Sequence, residues 1–429
     1  MSDAATTPLH HHLRPMGGRD PHEVHRVATP LELLFDLTFV VAFGFAANQF
    51  AHALAEAHFA TAFLGFALAS FAICWAWVNF SWFASAYDTD DWIFRVMTMT
   101  QMSGVLVLAL GLPRMFASLE DTDGRVDTSI IVLGYVVMRV ALVLQWLRAA
   151  RQDPARRRAC MTYVVATMVA QVGWVALLFA GATGTLAFAL IVVLVGVELA
   201  GPWLAERRDG GTPWHAHHIV ERNTLFTTIA LGEGVVGTVA SLSAVVETQG
   251  WTLDAALVGS AGIGLTFGLW WIYYILPAAP VLHAHRDRSF VWGYTQMLVV
   301  TAIVATGAGL HVAAQYIEHH AHLGPFAVVL ATALPVAVFI GLIYALYYYL
   351  VRRFDPFHVW LLSATSVVLA LAIAAAAAGV SMPVCLCLVA LAPVVTVVGY
   401  EWRGHRHQAD TLALDAARGA GREADSSHV

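Results

Sequence analysis

Long apolar stretches alternate with short polar segments along the whole chain. Twelve of these stretches are about 20 residues long, which is the length a helix needs to cross a hydrocarbon core of roughly 30 Å. They begin near residues 31, 58, 93, 129, 161, 184, 223, 255, 290, 325, 358 and 381. The pattern predicts an all-α polytopic integral membrane protein with about twelve transmembrane helices.

Composition supports this class and excludes several functions. Of 429 residues, 59% are hydrophobic and 12% are charged, whereas a soluble domain is about a quarter charged. All 23 basic residues are arginine, so the chain has no lysine for a Schiff base or a phosphate-binding P-loop. We expect the lipid bilayer as a partner, and no cofactor, metal site or nucleic-acid partner.

Arginine positions predict the orientation of the helices. Clustered arginines, including those at 156–158, at 207 and 208, at 286 and 288, and at 352 and 353, all fall on one side of the predicted membrane. By the positive-inside rule this is the cytoplasmic side. Both termini are then cytoplasmic. The polar segments 1–28 and 403–429 are predicted to be cytoplasmic tails, the first of them disordered.

The two halves of the chain share short motifs in the same order. The tripeptide TQM occurs at 100–102 and again at 295–297. The second span ends in WAWVNFSWF and its counterpart in the other half in LWWIYYIL. We therefore predict two parallel six-helix repeats, covering residues 29–206 and 207–402.

Charged residues inside the spans are the first candidate site residues, because an ionisable group in hydrocarbon is costly unless it faces protein or water. Thr29, Pro30 and Glu32 fit a capping box at the start of the first helix. Asp36 lies one helical turn deeper, beyond the reach of the cap. Three further candidates lie near mid-membrane: Arg139, Glu198 and Glu233. We expect Arg139 to form an ion pair with one of these two glutamates.

The polar segments on the predicted cytoplasmic side supply a second group of candidates. The sequence DTDD at 88–91 matches the D-x-D-D pattern of acid-initiated terpene cyclisation, but acidic residues there also suit the N-terminus of the third helix. Candidate residues for a gate or a cytoplasmic mouth are Asp88, Asp90, Asp91, Arg95, His218, Glu221 and Arg222.

Three segments resemble the low temperature requirement protein A family of bacterial membrane proteins. They are PLELLFDLTFVVAFGFAA, YDTDDWIFR and HHIVERNTLFTTIALGEGVVG, within a similarity that covers about residues 26–400. The resemblance implies a bacterial inner-membrane protein, associated by name with growth in the cold, and it implies no biochemical activity. It singles out Glu32, Phe35, Asp36, Asp88, Asp90, Asp91, Arg95, His218, Glu221, Arg222, Gly232 and Glu233.

The leading functional hypothesis is a transporter or permease for a small solute or ion. In it Asp36 and Glu233 bind a cation or a proton, and Arg139 sets the charge balance of the deep acids. Two alternatives stay open. One is a membrane-embedded enzyme acting on a lipid or isoprenoid, in which the DTDD loop with Glu32 and Asp36 holds Mg²⁺ or supplies general acids. The other is a scaffold or cold-stress sensor without catalysis. The sequence leaves the substrate and the oligomeric state open.

Overall fold

The computed structural model describes residues 13–20, 23, 27–120, 125–353, 355–406 and 408. The described residues are 85% helical and contain no β-strand. The α-helices are α1 (Pro30–Ala55), α2 (Phe59–Tyr87), α3 (Trp92–Glu120), α4 (Ser129–Gln152), α5 (Arg157–Phe179), α6 (Gly184–Glu206), α7 (Ala216–Gln249), α8 (Leu253–Tyr274), α9 (Ala278–Ala284), α10 (Ser289–Ile317), α11 (Pro325–Val351), α12 (Pro356–Ala377) and α13 (Met382–Gly399).

Twelve helical segments among the described residues are long and apolar enough to cross a membrane. One of them, Leu253–Ala284, combines α8 with the short helix α9. The prediction of an all-α, multi-pass membrane protein with twelve spans is therefore confirmed. These helices carry apolar residues on all faces. A membrane-spanning helix needs them on the face that packs on protein and on the face that contacts lipid.

The seventh span differs most from its prediction. Helix α7 begins at Ala216, about two turns before the apolar stretch that starts near residue 223. Its first turns carry His218, Glu221 and Arg222. Because these residues are polar, the hydropathy pattern did not include them in the predicted span. The structure nevertheless keeps His218 and Arg222 fully buried, so these residues belong to a packed helix rather than to a loop.

The chain forms two compact units. The first consists of Met1–Ala42 and Ala72–Arg222, and the second of Phe43–Phe71 and Asn223–Val429. Helices α1, α2 and α7 are each divided between the two units. The division of the chain into repeats at 29–206 and 207–402 stays a prediction.

In the first unit, α3, α4, α5 and α6 pack in chain order. Trp146 of α4 stacks flat on Tyr163 of α5 with ring centroids 4.2 Å apart, and Phe83 meets the same indole edge-on at 4.8 Å. Helices α3 and α4 touch through glycines, because a Cβ atom on Gly134 would lie 2.6 Å from the carbonyl oxygen of Gly104. Such close approach through glycines is common between transmembrane helices.

Within the first unit, the described residues 13–20 pack against the ends of the helices. The backbone N–H of the fully buried Met16 donates to Gln152 Oε1 at 2.6 Å, and that of Arg19 donates to the carbonyl of Ala86 at 3.1 Å. Arg148 donates to the carbonyl of Arg14 at 2.8 Å. This segment lies within the predicted N-terminal tail, whereas most of the predicted C-terminal tail lies outside the described residues.

In the second unit, α10 packs on α11, and α13 packs on both α8 and α12. Most of α10 is buried, including the run of residues 302–310. Ser241 of α7 donates to the carbonyl of Leu310 in α10 at 2.6 Å. A Cβ atom on Gly307 of α10 would lie 2.7 Å from the backbone carbonyl of Glu233, so α7 and α10 approach within backbone contact there.

Substituting Gly134→Ala should destabilise the first unit, because the added methyl group meets the backbone of α3. Overpacking of this kind lowers the free energy of unfolding by about 1–3 kcal/mol. Unfolding of the purified protein in mixed micelles would measure the loss. The matched control is Gly196→Ala in α6, where nothing lies within 4 Å of the new Cβ. Equal stability of the two variants would contradict the close contact.

Candidate functional site

Arg222 of α7 is the centre of a buried ion cluster in the first unit. Its Nη1 lies 2.9 Å from Glu32 Oε1 and its Nη2 lies 2.6 Å from Asp36 Oδ1. All three side chains are fully buried. Because Glu32 and Asp36 are one turn apart on α1, both carboxylates reach the same guanidinium.

Glu32 has a second role at the start of α1. Its Oε2 accepts the backbone N–H of Thr29 at 2.7 Å, and Thr29 Oγ1 accepts the backbone N–H of Glu32 at 3.3 Å. These reciprocal bonds are the predicted capping box, which is confirmed. One carboxylate thus both fixes the end of α1 and contacts α7.

Aromatic residues of α2 enclose the inner half of this cluster. Trp77 Nε1 donates to Asp36 Oδ1 at 2.7 Å. The guanidinium carbon of Arg222 lies 5.6 Å from the Trp77 ring centroid and 5.7 Å from that of Phe80, within range of a cation–π interaction. Asp36 Oδ2 is buried and has no hydrogen-bond partner among the described residues.

Two more predicted mouth residues lie beside the cluster. His218, one turn before Arg222, has its Nε2 atom 3.2 Å from Glu32 Oε1. Glu221 is half-buried and its Oε1 accepts the backbone N–H of Ala28 at 3.4 Å. The structure therefore brings Glu32, Asp36, His218 and Arg222 together. The sequence analysis had placed the first two among the ion-binding candidates and the last two at a gate.

A second buried ion pair in the first unit joins α4 to α6. Arg139 Nη2 contacts Glu198 Oε1, so Glu198 is the partner of Arg139 among the two acids considered. Indole N–H groups of Trp75 and Trp174 each donate to the Glu198 carboxylate at 2.9 Å. The Arg139 guanidinium also lies 4.7 Å from the Tyr135 ring centroid. Glu198 is thus well supplied with donors.

Glu233, in the second unit, has a different environment. It is only 5% exposed. Among the described residues, its carboxylate has no hydrogen bond and no ion pair. A Cβ atom on Gly44 of α1 would lie 3.5 Å from Glu233 Oε1, so that glycine leaves room beside the carboxylate. Glu233 is therefore a buried acid without a counter-ion in the described part of the second unit.

The DTDD segment forms a turn before α3. Asp91 Oδ1 accepts the backbone N–H of Phe94 at 2.9 Å, as an N-cap does, and Asp91 also forms an ion pair with Arg148. Asp90 pairs with Arg95 at 2.8 Å, and Asp88 Oδ1 accepts the backbone N–H of Asp90 at 2.8 Å. Throughout the described residues there is no cluster of three or more histidine, cysteine, aspartate or glutamate side chains suited to a metal.

Glu206, at the end of α6, is a polar centre that sequence reasoning missed. Its carboxylate accepts Trp82 Nε1 at 3.0 Å, Tyr163 Oη at 2.8 Å and the backbone N–H of Thr212 at 3.0 Å. Gly211 has φ of +79°, and a Cβ there would lie 2.9 Å from the carbonyl of Glu206. The Gly210–Gly211 pair was the available signal of a tight turn returning to this acid.

Comparison with known proteins finds a family and a relative to which this chain is similar. The family model for the bacterial low temperature requirement A protein matches residues 27–393. An uncharacterized protein of Rhizobium meliloti (strain 1021) is 26% identical over 302 residues, which is 65% of this chain and 67% of that protein. No solved structure matches.

Substituting Arg222→Gln should lower the free energy of unfolding by about 3–5 kcal/mol, because it leaves two carboxylates buried against each other. Arg158→Gln, whose side chain is 80% exposed, should leave stability unchanged. The double variant Arg222→Gln with Asp36→Asn should be more stable than Arg222→Gln alone, since one uncompensated charge is gone. Unfolding in mixed micelles measures all three, and a harmless Arg222→Gln would contradict the ion cluster.

Asp91 predicts a pH dependence of stability. Burial disfavours its charge, but hydrogen bonds from Arg148 and the Phe94 N–H outweigh burial, so the pKa of Asp91 lies below its usual 3.8. Its stabilisation is therefore complete above that usual value and is lost as the pH falls through the lower folded-state pKa. The melting temperature of the wild type should exceed that of Asp91→Asn at neutral pH, and the gap should close in acid. Arg148→Gln should weaken the same pH dependence. A difference in melting temperature between the wild type and Asp91→Asn that stays the same in acid would contradict the role of the Asp91 charge.

Proposed function

We propose a transport function for this chain, which belongs to the bacterial low temperature requirement A (LtrA) family. The proposal is a permease of the bacterial inner membrane that carries a small solute or an ion across the bilayer. Neither the family name nor the Rhizobium meliloti relative supplies an activity. The support is the placement of charge within the membrane-spanning helices.

The observation that carries the proposal is the lone carboxylate of Glu233. It lies well inside the membrane-spanning segment Ala216–Gln249 and is 5% exposed. A charged group held in hydrocarbon without a partner is costly. Such a residue is neutral when protonated, or it is neutralised by a bound cation. Taking up and releasing a proton or cation is what a transporter requires of its coupling site.

The other intramembrane acids provide the contrast. Glu198 contacts Arg139, and Asp36 contacts Arg222. Because each of these carboxylates pairs with an arginine of another helix, the ion pairs hold helices together. Asp36 retains one unpartnered oxygen among the described residues, so it is the second proposed titrating group. Glu233 is the first.

The cluster around Arg222 would then act at the cytoplasmic mouth. With the N-terminus inside, α1 enters the membrane from the cytoplasm at Pro30, and α7 enters at Ala216. Glu221 and His218 lie in the first turns of α7 beside the start of α1. We assign them to the gate, because breaking their contacts would separate the cytoplasmic ends of these two helices.

Substituting Glu233→Gln should abolish transport and preserve the fold, because the amide keeps the shape of the side chain but cannot take up a proton or bind a cation. The assay records currents from proteoliposomes on a solid-supported membrane after jumps in pH, sodium, potassium and a panel of small metabolites. Glu247→Gln is the matched control, since Glu247 is exposed on the same helix. Asp36→Asn should reduce the currents.

A response that survives Glu233→Gln would contradict the proposed role of this acid. If no jump in the panel gives a current with the wild type, and Glu233→Gln changes only thermal stability, the scaffold alternative replaces the transporter.

A further inference from the structure

A cleft lined by aromatic rings lies at the end of α8 in the second unit. Its volume is about 450 Å³, and six of its lining residues are Phe267, Trp270, Trp271, Tyr274, Tyr400 and Glu401. The proposed transport mechanism does not use this cleft. Trp270, Trp271 and Tyr274 belong to the segment LWWIYYIL, which the sequence analysis used only as evidence for a repeat.

The rings form one stripe along α8. Phe267, Trp270, Trp271 and Tyr274 follow the helical spacing of three, four and seven residues, so they lie on one face. The Phe267 ring centroid is 5.5 Å from those of both Trp270 and Trp271. Trp270 and Tyr274 are 4.8 Å apart. The stripe therefore offers a continuous aromatic wall.

The opposite wall carries the negative charge. Glu401 follows α13 in a π-helical turn, Tyr400–Gly404, a distortion that is frequent at functional sites. Trp271 Nε1 donates to Glu401 Oε1 at 3.2 Å, which holds the carboxylate at the cleft. Among the described residues, no arginine or histidine lines the cleft. The site is therefore complementary to a cation.

We propose that this cleft binds the trimethylammonium end of a choline phospholipid. Aromatic faces attract a quaternary ammonium group through cation–π interactions. A primary ammonium has three N–H donors that need acceptors, but the cleft offers mainly ring faces and the single carboxylate of Glu401, one oxygen of which accepts the Trp271 N–H. The quaternary ion requires no acceptor and therefore fits better.

The surroundings of the cleft indicate a lipid rather than a free cation. Ile263 is 54% exposed and Phe267 is 53% exposed, one turn apart on α8 and within a membrane-spanning segment. They continue the aromatic stripe away from Glu401 as an apolar surface. Acyl chains would lie on this surface while the headgroup contacts the aromatic rings and the carboxylate, as interfacial aromatic residues commonly arrange.

Native mass spectrometry of the purified protein tests the proposal. The protein is equilibrated with equal amounts of phosphatidylcholine, phosphatidylethanolamine and phosphatidylglycerol, and retained lipids are counted. The wild type should retain phosphatidylcholine in preference to the other two. Glu401→Gln should lower that preference by about 3- to 10-fold, because the amide still accepts the Trp271 N–H but carries no charge. Trp270→Leu should lower it as well.

Trp402→Leu is the matched control, because Trp402 is 70% exposed and adjacent to Glu401 but does not line the cleft. Its lipid preference should equal that of the wild type. Thermal melts of all variants confirm folding. Equal retention of the three lipids, or a preference that survives Glu401→Gln, would overturn the proposal. If soluble phosphocholine displaces the lipid at equal concentration, the acyl chains contribute nothing. That result would overturn a lipid as the ligand in favour of a soluble quaternary ammonium compound.

Discussion

A charge placed in hydrocarbon finds no water, so its partner must come from the protein itself. This constraint explains the arrangement of the first unit around Arg222. A guanidinium has five donors in a planar fork and is always charged, so one arginine of α7 contacts two carboxylates of α1. Removing Arg222 would leave both carboxylates buried without their cation, whereas removing one acid would leave a one-to-one ion pair. The same constraint pairs Arg139 with Glu198 and so joins α4 to α6.

Tryptophan is the second recurring partner of these acids. Indole N–H groups donate to Asp36, Glu198 and Glu206, three carboxylates buried or half-buried in the first unit. An indole supplies one donor on a large apolar body, so it satisfies a carboxylate without adding another charge to the membrane interior. Against this background Glu233 stands out, because it has neither an arginine nor an indole among the described residues of its unit. That difference separates Glu233, the first proposed titrating group, from the acids that have fixed donors.

Much of the fold followed from the sequence. The lengths of apolar stretches located twelve spans, because an ordinary α-helix crosses hydrocarbon in about 20 residues. The capping box at Thr29 and Glu32 was predictable, since its bonds join residues three apart on one chain segment. The start of α7 was not predictable, because its polar first turns are buried by ion pairs with α1, and hydropathy does not record such contacts. Glu206 was missed for a similar reason, since its donors come from three separate segments.

By itself, then, the sequence determined the number of spans, the residues at which charges enter the membrane, and the family. Only the tertiary structure decided which of those charges meet. Arg222 and Asp36 are 186 residues apart, and helical periodicity gives the face on which each side chain lies but not which helix packs against that face. Pairing depends on the packing of whole helices, where glycines allow close approach and aromatic rings fill the remaining volume. That packing assigns Arg222 to two acids, Arg139 to Glu198, and no described partner to Glu233.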